Sequence, residues 1–134
     1  MEKILTLPLK KKWYDMIKSG EKTEEYREIK PYWCNRLIYS CPLGIDAYWK
    51  PVLARTFEAI EQQGERLPNM SLEHLLLWQY GTRGYTHVRF RYGYTKRTML
   101  FELDGITIGK GKTEWGAPDD KEVFILKLGS KVEE

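Results

Sequence analysis

The chain has 134 residues, 42% of them hydrophobic and 31% charged, with two cysteines and a formal net charge of +3. That is the length of one domain, large enough to bury a core without disulfides or a metal and too apolar for a disordered chain. No run approaches the roughly 20 apolar residues of a membrane span, and the mild positive charge admits a polyanionic partner without demanding one.

The first five residues, Met1, Glu2, Lys3, Ile4 and Leu5, lack the basic and apolar regions of a secretory signal, so a cytoplasmic location is expected. Residues 3–7 form an apolar run of strand type that Pro8 is expected to stop. From Leu9 the period changes: Leu9, Trp13, Met16 and Ile17 fall on one face of an amphipathic helix. Gly20 suits the position just past its end. Residues 22–29 then read as an unusually charged strand before Pro31, with Thr23, Glu25, Arg27 and Ile29 on one face. Charges are rarely buried unless paired, so Glu25 and Arg27 on one side of a strand predict a polar cleft or an ion pair.

Residues 32–37 read as a short helical turn and 40–50 as loop. Helices are expected over 52–63 and, capped by Ser71, over 72–78. The last third reads as β-structure. Residues 87–92 alternate Val88, Phe90 and Tyr92 against His87, Arg89 and Arg91, with a turn at 93–96 and a return strand at 98–103. Ile106 and Ile108 continue the pattern, 112–115 is expected as a further strand, and 123–128 as the last. Few helices and about six strands predict an α+β chain built on a small, mostly antiparallel barrel with helices at its rim.

Cys34 and Cys41 do not have a zinc or redox spacing. Assembling them with His74 and His87 into a metal site is the weaker reading, so no metal and no cofactor is expected. Between positions 81 and 97 there are five basic residues (Arg83, Arg89, Arg91, Lys96 and Arg97) and no acid.

Gly20, Lys22, Glu25 and Arg27 occupy all four defined positions of the pattern G-x-K-x-x-E-x-R, placed after a first strand and helix. Together with the segments 9–17, 25–33 and 89–94, the run Glu114, Trp115, Gly116, Ala117, and the closing 123–129, the chain resembles a bacterial and phage branch of the ASCH domain family. The resemblance implies a PUA-like barrel in a single domain over 1–134. The segment at about 40–80 departs from the minimal pattern as a helical insertion. It also implies a cleft lined by Lys22, Glu25 and Arg27, and an association with RNA or a modified nucleoside.

Other branches are similar to amidohydrolases acting on acetylcytidine, or are linked to ribonuclease activity. In the acetylcytidine branch a hydroxyl residue stands where this chain has Glu25, which leaves Thr23 as the nearest hydroxyl. Two readings follow. In the first, Lys22, Glu25, Arg27 and Arg36 hold RNA or a nucleoside, with Arg89, Arg91 and Tyr92 as a strand that tracks backbone and stacks a base. In the second, Lys22, Glu25 and Thr23 are catalytic in a small hydrolase, with Glu102 or Asp104 as a second acid. A protein-interaction role for the 40–80 segment is a third.

Overall fold

The apolar alternation at both ends of the chain builds one sheet. The computed structural model describes residues 2–37 and 83–134, which divide between two compact units, 1–27 with 84–134 and 28–83. In the first unit the chain runs β1 (Ile4–Leu9), α1 (Lys11–Ser19), β2 (Glu24–Arg27), β3 (His87–Tyr92), β4 (Thr98–Lys110) and β5 (Glu122–Val132). The five strands form one sheet in the order β1-β3-β4-β5-β2, with β1 and β3 parallel and every other pair antiparallel. The sheet curls into a half-barrel with α1. The ends of that order leave β1 and β2 as edge strands.

Strand register places Leu5 beside Val88 and Leu7 beside Phe90, then Phe90 beside Met99, and Ile108 beside Phe124. All of these are buried, and Tyr14 and Ile17 of α1 are buried with them. Alternation sends a second, smaller cluster to the opposite face of β5 and β2: Tyr26, Ala117, Val123 and Ile125, with Trp115 packed against it.

Several expected boundaries move. β1 runs through Pro8 to Leu9, because an edge strand has a ladder on one side only and tolerates proline there. Leu9 is therefore a buried strand residue, and α1 starts at Lys11. The charged strand shrinks to Glu24–Arg27. The return strand and the continuation at Ile106 and Ile108 are a single strand of 13 residues, with register irregularities around Leu103. The strand expected at 112–115 is instead a 3-10 turn, Thr113–Trp115, closed by Gly116 at φ 101°. β5 extends beyond the expected 128 to Val132.

In the second unit the described chain forms one helix, α2 (Pro31–Leu37), whose last carbonyl accepts from the Arg83 N–H at 3.0 Å. The helices expected at 52–63 and 72–78, and the 40–80 insertion as a whole, lie outside the described residues. Among the described residues no helix is long and apolar enough to cross a membrane.

Candidate functional site

The site begins with the way α1 ends. Gly20 adopts φ 89° and returns its N–H to the Ile17 carbonyl at 3.1 Å, and the Lys22 N–H reaches the Met16 carbonyl at 3.0 Å. The left-handed conformation is open to glycine at little steric cost. The turn pins the Lys22 backbone under the last turn of α1, two residues before β2 begins.

β2 then presents Glu25 opposite Leu126 and Arg27 opposite Phe124, so both charged side chains share the inner face with fully buried apolar neighbours. Glu25 joins two cations. Its Oε1 accepts from Lys22 Nζ at 2.7 Å and its Oε2 from Arg27 Nη1 at 2.6 Å. Lys22 is 2% exposed and Glu25 4%, while the Arg27 side chain, at 16%, is the member closest to solvent.

Backbone carbonyls complete the arrangement. Lys22 Nζ donates to the Trp115 carbonyl at 2.6 Å, and Arg27 Nη1 donates to the Tyr26 carbonyl at 2.7 Å. Arg27 Nη2 reaches the Pro8 carbonyl at 3.5 Å, linking edge strand β2 to edge strand β1. The seam between the two edges is thus where the charges sit. The Trp13 ring lies 4.5 Å from Lys22 Nζ and the Tyr26 ring 5.5 Å, both within cation–π range. Gly116 lets the 113–115 turn close on Trp13, since a Cβ there would stand 3.0 Å from the indole. That close approach carries the Trp115 carbonyl to the ammonium.

Burial pushes the Lys22 ammonium below its ordinary pKa. The neighbouring Glu25 carboxylate opposes the shift and the Arg27 charge adds to it. Behind β2, the Tyr26 hydroxyl donates to Glu24 Oε1 at 2.9 Å and accepts from the Lys112 N–H at 3.0 Å. Burial, seconded by Glu24, pushes the Tyr26 phenol up to about 12 against the pull of the Lys112 N–H. Gly111 packs against this ring so closely that a Cβ would meet it at 2.5 Å.

Of the residues expected from sequence, Lys22, Glu25 and Arg27 are brought together. Thr23 is exposed. Arg36 belongs to α2, where its guanidinium packs over Tyr32 and Trp33 and donates to the Tyr32 hydroxyl at 3.1 Å. Arg89 is held by Glu134 at 2.8 Å and Arg91 is exposed. Tyr92 takes the other side of β3, where it meets Tyr14 edge-on at 5.1 Å, so the sheet separates it from Arg89 and Arg91. Glu102 and Asp104 are exposed and flank Gly129 of β5. Cys41 and His74 lie outside the described residues, and His87 Nδ1 sits 2.8 Å from the Thr86 hydroxyl.

Sequence reading passed over the Trp115, Tyr26 and Pro8 carbonyls, which carry no side-chain signal, and the Trp13 face, visible only as one more apolar helix position.

No protein-family model matches the chain, and no curated protein or solved structure does either. The likeness to ASCH domains therefore rests on Gly20, Lys22, Glu25, Arg27 and the segments that follow them.

Proposed function

We propose that this chain is an ASCH-type, PUA-like protein of the cytoplasm that binds RNA or a modified nucleoside at the Lys22–Glu25–Arg27 site. One observation carries the reading: two cations and a carboxylate are withdrawn from water on a sheet face that is otherwise apolar. Hydrophobic residues of similar volume at such a position are often neutral or stabilising, so stability alone gives no reason for the charges. A lysine whose ammonium is disfavoured by burial, as at Lys22, is a group of the kind that clusters at functional sites.

The donor and acceptor set complements a pyrimidine edge. Glu25 is an acceptor for an exocyclic amino group, Lys22 and Arg27 are donors to a carbonyl or phosphate oxygen, and Arg27 reaches solvent first. Binding exchanges the Arg27–Glu25 hydrogen bond for bonds to the ligand. The geometry supports binding better than hydrolysis. Each Glu25 oxygen is already engaged by a cation, and exposed Thr23 precedes the strand that carries Glu25.

The test is titration calorimetry with cytidine and acetylcytidine, alongside anisotropy with labelled single-stranded RNA across a salt series. Arg27→Ala and Lys22→Met should each weaken binding about tenfold or more, the worth of one charge-assisted hydrogen bond. Affinity for RNA should also fall with salt. Affinities equal to wild type in both variants would overturn the proposal, and acetylcytidine turnover abolished by Lys22→Met would convert it to the hydrolase reading.

A further inference from the structure

A cavity of about 260 Å³ opens between α1, the start of β4 and the end of β5. Its floor is made by the buried residues Tyr14 and Met99, with the β4 chain at Leu100 beside them. Around that floor stand three cations from three elements: Lys18 of α1, Arg97 at the entry to β4, and Lys131 of β5. Lys18 follows Tyr14 by one helical turn, which sets both on the same face of α1.

Arg97 is held in place by rings. Its guanidinium carbon lies 5.0 Å from the Tyr92 centroid and 5.3 Å from the Tyr14 centroid, and those two rings meet edge-on at 89°. An exposed arginine ordinarily samples many rotamers. Contact with two aromatic faces restricts it while leaving its N–H donors pointing along the plane of the fork.

Among the described residues the cations around the cavity form no salt bridge. Glu133 and Glu134 also line it, but Glu134 is taken by Arg89 at 2.8 Å. Among the described residues no carboxylate bridges to Lys18, Arg97 or Lys131. Three unpaired cations facing one remaining carboxylate form a concave anion site above an apolar floor.

We propose that this cavity binds a phosphate group, with Arg97 as the planar, bidentate donor and Lys18 and Lys131 as flanking point charges. A phosphate presents several acceptor oxygens and up to two charges, which matches three converging cations better than a monoanionic carboxylate does. The volume lies just under the roughly 300–1,000 Å³ of small-molecule pockets, so the cavity takes the phosphate and only a small part of what bears it. The site shares no residue with the Lys22–Glu25–Arg27 cluster and stands independently of the function proposed for that cluster.

The test is calorimetric titration of the intact chain with inorganic pyrophosphate. In parallel, anisotropy is measured with one oligoribonucleotide carrying either a 5′-phosphate or a 5′-hydroxyl. Arg97→Ala should weaken pyrophosphate binding about tenfold, and the double variant Lys18→Gln, Lys131→Gln by about as much, each removing charge-assisted hydrogen bonds. Arg97→Lys should recover only part of the loss, because it restores the charge without the fork. Lys22→Met should leave the titration unchanged. A preference for the 5′-phosphate would assign the site to phosphate monoesters, and equal binding of both oligomers, still dependent on Arg97, to the internal phosphodiester; both support an anion site. No pyrophosphate binding, binding indifferent to Arg97→Ala, or binding lost in Lys22→Met would overturn it.

Discussion

Along β1 and β3 the inner face of the sheet is Leu5, Leu7, Val88 and Phe90, each fully removed from water, whereas along β2 the same face carries Glu25 and Arg27. Both regions belong to one curled sheet. The apolar side gains roughly 1.5–3 kcal/mol for each large side chain it buries. The charged side must recover a desolvation penalty of several kcal/mol per ion through pairing. It does so with paired hydrogen bonds: both Glu25 oxygens accept, and Lys22 Nζ and Arg27 Nη1 each donate to a backbone carbonyl as well. An apolar face tolerates small errors of placement, but a buried charge needs its partner at a particular atom. The β2 region is consequently the more specific and the more fragile of the two.

The sharpest way to break the comparison is to make β2 resemble β3. Glu25→Leu leaves Lys22 and Arg27 buried without their shared carboxylate, and should cost roughly 3–5 kcal/mol although an apolar residue has been added to an apolar face. Urea denaturation reads this directly, and a variant as stable as wild type would mean that the charges are solvated.

A middle-sized effect lies behind β2. Tyr26→Phe removes the acceptor of the Lys112 N–H and the donor to Glu24, a loss of about 1–3 kcal/mol at neutral pH. Because the folded phenol is pushed up to about 12 from an ordinary 10, its contribution is complete below pH 10 and disappears as pH rises through 12. The stability difference between wild type and Tyr26→Phe should therefore shrink by about 2 kcal/mol between pH 9 and pH 12, towards zero. A constant difference would show that the phenol titrates normally.

Lys22→Met should have the smallest effect on stability, about 1–2 kcal/mol. Glu25 keeps Arg27, and the methionine fills most of the volume of the lysine stem. A near-native melting temperature combined with lost ligand binding separates the role of Lys22 in recognition from its role in folding. A collapse of stability would place Lys22 with Glu25 as a structural necessity.

The sequence by itself determined which residues are apolar in which period, and that was enough for the strand at His87–Tyr92, a first helix that buries Ile17, and the charged face of β2. It was not enough for Tyr14, which the helix buries in place of half-buried Trp13 and Met16. The resemblance of Gly20, Lys22, Glu25 and Arg27 to the ASCH pattern likewise singled out three side chains that converge. These features are local: alternation and helical period act over a few residues, and a charged strand is conspicuous wherever it falls. Only the tertiary structure decided the rest. Pro8 stays in a strand because that strand lies at an edge, and 113–115 turns instead of extending because Gly116 must close on Trp13. The Trp115 carbonyl meets an ammonium 93 positions away. In each case the deciding partner is distant along the chain and is often a backbone atom, which no pattern of residue types can announce.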